Sequence, residues 1–401
     1  MATIWIFNHY ADTPDRQATR SYDIGRELVR RGHRVTIFAS SFSHYTLREE
    51  RLQAGERFTI EEVDGVRFVW LKTFPYSQNN WRRYLNMASF AWRAYRAGSS
   101  QENSPDIIIG VTVHPLAALS AYLLSWRKRS RYFFEITDLW PQTLIEMGLL
   151  SRRSPATWAL RLLEKFLLKR AEKIITLWPH ADRYMTSLGI PESKVVWIPH
   201  CVELSRYPGI NGYDGTISST LTIMYIGGHT SEYGLNSIID AAQILEQSDA
   251  NRARFVFVGG GTEKNNMMRR AQEMGLTNVE FRDVVPKHDI ARVLSEAGAF
   301  VFSRRSLRLF QEYGISNNKL CDYMASGRPI LFACEARNNP VEEAKAGITV
   351  KPENPQALAD AVVTLMKATP AERVRMARNG RDYAEKYHDV VLVATKLEAL
   401  I

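Results

Sequence analysis

The sequence is short of the residues that mark secreted or metal-bound chains. Its three cysteines, Cys201, Cys321 and Cys334, have no ligand-like spacing and offer no disulfide framework, which points to a reducing compartment. No apolar run is long enough to cross a bilayer. Asp106–Trp126 comes nearest, and His114-Pro115 divides it into a strand and a helix. No basic n-region or cleavage site precedes the strand-like Ile4–Phe7, so a cytoplasmic protein is expected. Internal repeats and low-complexity tracts are absent. Acidic residues are missing altogether between Asp64 and Glu102, where Arg67, Lys72, Arg82, Arg83, Arg93 and Arg96 accumulate instead.

What is present is a chain of 401 residues, 45% apolar and 24% charged, with a formal net charge of +9. That length exceeds what one hydrophobic core serves, so two domains are expected. The positive charge calls for an acidic partner: nucleic acid, anionic lipid or a phosphorylated substrate. Within the acid-free stretch, Trp81, Tyr84, Phe90, Trp92 and Tyr95 interleave with the arginines. Trp81, Arg82, Arg83, Trp92 and Arg93 therefore define a candidate membrane-surface helix, because rings settle at headgroup level and arginines meet lipid phosphates. Solvated arginines on a helix whose aromatics pack inward are the alternative. Further basic clusters lie at Arg127–Arg131 and Arg152-Arg153, followed by Lys165, Lys169 and Arg170.

Short apolar runs alternate with helical patterns almost throughout, which predicts an α/β architecture of parallel sheets built from βαβ units. Expected strands are 4–7, 34–39, 66–70, 107–111, 132–136, 173–177 and 195–198, then 221–225, 253–258, 279–282, 299–302, 329–332 and 347–350. A first helix is expected over 18–31, closed by Gly32, and Leu160, Leu163, Phe166 and Leu167 mark the apolar stripe of a later one. The loop-rich Pro208-Gly209-Ile210-Asn211-Gly212-Tyr213-Asp214-Gly215 marks a connector. The expected division is a first domain over 1–199, a second over 200–380, and a terminal helix over 381–401 that packs back on the first. Ligands of such sheets bind beyond the carboxyl ends of the strands, so two facing domains enclose a cleft.

The most informative segment is Tyr313-Gly314-Ile315-Ser316-Asn317-Asn318-Lys319-Leu320-Cys321-Asp322. It reads as a glycine-bearing loop opening a helix, with Ser316, Asn318, Lys319 and backbone donors where an anion is stabilised. Asp322, one turn on, is placed to accept from vicinal hydroxyls. Diphosphate followed by ribose is the outline of a sugar nucleotide; an ordinary loop–helix unit is the plain alternative.

The order of motifs resembles the retaining glycosyltransferases of family 4, with two Rossmann-like domains (GT-B). The likeness rests on Ala18-Thr19-Arg20, Gly32-His33-Arg34-Val35-Thr36, Ile136-Thr137-Asp138-Leu139-Trp140-Pro141 and Ile198-Pro199-His200. It continues through Tyr225-Ile226-Gly227-Gly228 and Val258-Gly259-Gly260-Gly261 to the segment above. Asp138-Leu139-Trp140-Pro141 narrows it to the O-antigen and capsule subgroup that is similar to N-acetyl-L-fucosaminyltransferases. The resemblance implies transfer of an N-acetylated hexosamine-type sugar from a UDP-linked donor to a lipid-linked saccharide, with retention, at the inner face of the cell membrane. It implies no cofactor beyond the donor and no metal, in keeping with the lack of an Asp-x-Asp pair.

By the same resemblance His114 contacts the donor sugar, and its imidazole suits either a hydroxyl hydrogen bond or proton exchange. Asp138 is open between a role at the reacting centre and a helix N-cap. His9 and Arg20 border the donor or acceptor. The family's paired glutamates correspond to Gly314 and Asp322, so one carboxylate is missing. Its Arg and Lys after the glycine turn are replaced by His229–Tyr233, leaving Lys319, then Arg304 or Arg305, to neutralise a diphosphate. Backbone at Gly228, Gly260 and Ile315 completes the candidate donor site. Two other readings are an epimerase or hydrolase acting on sugar nucleotides within this fold, and a non-catalytic nucleic-acid binder.

Overall fold

The structure is a computed structural model that describes all residues except 17–19, 45, 78–80, 113, 208, 210–211, 218 and 249–251. Ala18 and Thr19 of the expected first helix, and Pro208, Ile210 and Asn211 of the connector, lie outside the described residues. The chain divides into two compact units, 1–199 with 390–401, and 200–389.

Strands of the first unit are β1 (Thr3–Phe7), β2 (Arg34–Ser40), β3 (Phe42–Ser43), β4 (Arg48–Glu49), β5 (Phe58–Val63), β6 (Val66–Leu71), β7 (Ile107–Val111), β8 (Arg131–Ile136), β9 (Lys173–Thr176) and β10 (Val195–Trp197). Eight of them form one sheet in the order β10-β9-β8-β7-β1-β2-β6-β5. The inner strands are apolar along their whole length, Ile107–Val111 being buried at every position, because helices cover both faces. β3 and β4 form a separate antiparallel pair, and all pairings within this sheet are parallel except β5 with β6. That hairpin turns at Asp64 and Gly65, both with positive φ, and β5 alternates between exposed and half-buried positions as an edge strand does. β5 is absent from the strands expected from the sequence, although Asp-Gly at a hairpin turn is a recognised strand signal.

The second unit carries β11 (Leu221–Ile226), β12 (Ala253–Val258), β13 (Val279–Arg282), β14 (Ala299–Ser303), β15 (Ile330–Ala333) and β16 (Gly347–Val350) in the all-parallel order β13-β12-β11-β14-β15-β16. Ile223, Tyr225, Phe255, Phe257 and Val301 pack there against Ile238, Ala242 and Leu245 of one helix and Leu358, Val362 and Leu365 of another.

Strand order reverses beside β1 in the first sheet, where β2 lies on one side and β7 on the other, and beside β11 in the second, between β12 and β14. Consecutive loops diverge at such points and leave room for a ligand.

The chain end completes the first unit. Residues 381–389 finish the helix Pro370–Tyr387 of the second unit and its exit, and the return starts only at Val390. The helix Val390–Glu398 buries Val390, Val393, Ala394 and Leu397. Arg31, at the end of the first helix, donates to Glu398 and Thr395 (each 2.8 Å) and to the Val391 carbonyl (2.8 Å). His33 takes the Ala2 N–H on Nδ1, so its Nε2–H faces Glu398 at 3.0 Å. Leu397→Ala is expected to destabilise the protein by about 2–4 kcal/mol in denaturant titrations, through lost burial and the cavity left behind.

Candidate functional site

His9 follows β1 and His114 follows β7, so the reversal of strand order brings them together: His9 Nδ1 lies 2.6 Å from His114 Nε2, both rings buried. His114 caps the helix Pro115–Lys128 and accepts the Ala117 N–H on Nδ1 (3.2 Å). Its one proton is therefore on Nε2 and points at His9, whose own proton is on Nε2. That atom and Asn86 Oδ1 are both buried without a hydrogen bond of good geometry, while the Asn86 amide is near enough to favour the charged ring. Asn86 is fixed by donating to Thr73 Oγ1 and to the Phe74 carbonyl (each 2.8 Å).

Burial, and then the charge of Arg83, bring the His114 pKa down to about 3 and that of His44 to about 4. His9 is lowered by burial, and then by His114, His44 and Arg83. With these shifts the cluster is neutral at physiological pH, and His114 offers its Nε2–H as a hydrogen-bond donor. His9 stacks on Phe90 (4.4 Å) and Tyr10 on His44 (5.1 Å). A cavity beside them is lined by His9, Tyr10, Asp12, Ser41, His44 and Arg51 among others, a polar and aromatic surface. Tyr10, His44 and Asn86 were passed over in the sequence because no spacing links them.

Three sequence-derived candidates sit differently from expectation. Arg20 is a buried strut: it pairs with Glu135 (3.3 Å) and donates to the carbonyls of Ile198 (3.0 Å) and Pro199. Arg83, expected on an outer face, is half-buried and acts on the histidines. Asp138 caps no helix, since the next one starts at Gln142 with Pro141 before it. Its exposed side chain instead borders a cavity shared with Thr112, Pro115, Trp140 and Glu164.

In the second unit, the β11 end runs into Gly227 and Gly228. Lys319 reaches this point from the helix Asn318–Ala325: its Nζ bonds Tyr225 Oη (2.7 Å) and lies over the Tyr233 ring (3.5 Å). Tyr225 passes the interaction on by donating to the Gly228 carbonyl (2.8 Å). Gly227 has φ 141, where a side chain is strained, and a Cβ there would stand 2.6 Å from that Nζ and push it aside. The loops after β11 and β12 are tied together by His229 N–H to the Gly260 carbonyl (2.8 Å). Arg304 joins the group over the Tyr233 ring (4.5 Å) and pairs with Glu232 (3.2 Å). Arg305 turns away to Glu353 (3.3 Å). Burial, and then Arg304, hold the Lys319 pKa well below its usual value, with Glu232 opposing.

The loop before that helix is rigidly specified. Asn338 clamps both sides of Ile315, accepting its N–H (2.6 Å) and donating to its carbonyl (3.1 Å). Asn317 is the N-cap, accepting from Lys319 N–H (3.1 Å), which leaves Ser316 half-buried before the helix and Asn318 exposed in its first turn. Gly314 has φ 85 and ψ −172, a conformation that side-chain-bearing residues rarely adopt. Glu312 does not replace the missing carboxylate, being paired with Arg308 (2.6 Å). Asp322 is held by Tyr207 Oη (2.7 Å) and by Lys287 (2.9 and 2.7 Å). Lys287 had no signal in the sequence beyond its place after β13.

Two outcomes are expected. Gly314→Ala should cost about 1–3 kcal/mol in chemical denaturation, from strain at that φ. Glu164 is buried and takes the Tyr184 hydroxyl (2.9 Å), and burial pushes its pKa from 4.5 up to about 8. Between those values the unfolded chain has lost the proton and the folded one keeps it, so stability falls as pH rises. Glu164→Gln should remove that slope, its melting temperature gaining on the wild type up to about pH 8.

The glycosyl transferase 4-like domain matches residues 17–201, and the glycosyl transferases group 1 family matches 220–368. WcaI of Escherichia coli K12, a putative colanic acid biosynthesis glycosyl transferase, is 23% identical over 270 residues, 63% of this chain and 64% of WcaI. The chain thus spans just under two thirds of that relative's length. Among solved structures, sucrose-phosphate synthase of Thermosynechococcus elongatus superposes with a TM-score of 0.77 at 15% identity, covering 100% of this chain and 98% of that one. HepE of Anabaena in complex with UDP-glucose gives 0.69 at 13%, covering 100% and 99%. Both units have the α/β architecture of the GT-B fold, and each carries its own glycosyl transferase match, to the 4-like domain in the N-terminal half and to group 1 in the C-terminal half.

Proposed function

We propose that the protein transfers a sugar from a UDP-linked donor, of the N-acetylated hexosamine type, to a lipid-linked saccharide, with retention and at a membrane surface. The observation that carries this is Lys319, a cation brought to the strand-order reversal beside β11 and enclosed by Tyr225 and Tyr233. Neutral partners of this kind leave most of the charge uncompensated, which favours an anion. HepE, in the same fold, has been solved with UDP and with UDP-glucose. WcaI, a distant relative, is named for colanic acid biosynthesis.

In this reading Lys319 and Arg304 face the diphosphate, and Lys319 stabilises the charge that grows on it as the glycosidic bond breaks. Asp322, shared with Lys287, accepts from the ribose hydroxyls. His114, neutral and fixed in one tautomer, orients the sugar with His9, Tyr10 and His44. Asp138 borders the reacting centre on the same side.

Lys319→Met is expected to weaken UDP binding about tenfold or more in calorimetry, as loss of a charge-assisted contact does. In the wild type, affinity should fall as pH rises, because the diphosphate selects the ammonium and burial has already lowered its pKa. Unchanged UDP affinity in Lys319→Met would remove the phosphate assignment. Turnover of UDP-sugars with no acceptor present would favour a hydrolase or an epimerase.

A further inference from the structure

The helices Trp81–Ser100, Pro115–Lys128 and Pro155–Arg170 pack side by side in that order. The first shows Trp81, Tyr84 and Trp92 to solvent, with Arg82 and Arg96 over neighbouring rings, and buries Phe90. The third shows more. The apolar stripe expected there is only partly inward: Leu167 is buried, but Phe166 is exposed. Four-residue spacing places Trp158, Leu162, Phe166 and Arg170 in one outward row and Arg161, Lys165 and Lys169 in the next. Trp158 is 68% exposed and Leu162 50%, and Trp126 on the middle helix is 77% exposed. Phe166 meets Tyr122 of that helix edge to face at 5.2 Å, so the two helices present one continuous surface.

Acid is missing from the exposed faces of these two helices. Glu164 is the one carboxyl in the two helices, and it is buried against Tyr184. Arg127, Arg152 and Arg153 are exposed around the apolar rows. At one end lies a cavity lined by Tyr122, Trp126, Arg129, Arg131, Arg170 and Glu172, with Ser125, Ser130 and Tyr132 completing its wall. Its acid, Glu172, is taken by Arg131 (2.7 Å), which also donates to the carbonyls of Leu400 (2.9 Å) and Ile401 (2.6 Å). Arg170 lies over the Phe166 ring at 5.5 Å.

We propose that the face formed by Pro155–Arg170 and the C-terminal half of Pro115–Lys128 docks on an anionic lipid bilayer, with the Arg129–Arg170 cavity taking a phosphate-bearing headgroup. It deepens the reading above by naming the surface that meets the membrane. Exposed tryptophans beside an acid-free basic row match the layered polarity of a bilayer surface, apolar below and anionic at the headgroups. A nucleic acid would satisfy the cations but leave three exposed apolar side chains in water.

The test is co-sedimentation of the full chain with phosphatidylcholine vesicles, with and without phosphatidylglycerol, alongside UDP calorimetry. Binding is expected only with the anionic lipid, weakened by salt. It should fall about tenfold or more in a Trp158→Glu, Leu162→Glu variant, and about fivefold for each of Arg129→Gln and Arg170→Gln. UDP affinity should hold in all of them. Full vesicle binding in the Trp158 and Leu162 variant would overturn the proposal. So would loss confined to Trp81→Glu with Trp92→Glu, or preference for an oligonucleotide over vesicles. A wild type that binds vesicles but not UDP would leave this surface standing and sink the nucleotide reading; the reverse result would do the opposite.

Discussion

A parallel sheet whose strand order reverses cannot close the space above the reversal, because the loops on either side run off to opposite faces. Both units are organised around that constraint. In the first it falls between β1 and β7 and is filled by His9 and His114. In the second it falls between β11 and β14 and holds Gly227, Gly228 and Arg304, with Lys319 entering from a helix. Chemistry-bearing residues far apart in sequence meet there because the backbone has nothing else to place in the opening.

The two openings differ electrostatically. Above β1 the polar groups form a neutral series: a backbone amide fixes the His114 tautomer, and His114 fixes that of His9. Proton positions are settled before any ligand arrives, which suits recognition of hydroxyls, where donor and acceptor must be told apart. Above β11 the groups are cations against aromatic faces, with Glu232 beside Arg304. Rings lower the cost of burying a charge without cancelling it, so the site keeps its attraction for an anion.

The inner strands were legible because they are buried on both faces and read as apolar runs; Ile107–Val111 shows this well. The edge strand Phe58–Val63 was not, since its side chains contribute little to the core and its pattern is weak. Among site residues, those belonging to local motifs, such as Lys319 and Gly314, could be singled out from the chain. Lys287, Asn86, Tyr10 and His44 could not, because their meaning lies in partners dozens of residues away. Arg20 shows the same limit: its motif could be seen in the chain, but its buried partners, Glu135 and the carbonyls at 198 and 199, could not.

The helix Val390–Glu398 carries a consequence for how the molecule is made. Residues 390–401 leave the ribosome after the whole of 200–389 has been synthesised, yet they fill an apolar surface of the first unit. That unit emerges early and must wait, its docking groove open and the Arg31 guanidinium without Glu398, while the second folds. Domains usually fold as units in order of synthesis; here the first to appear is the last to be finished.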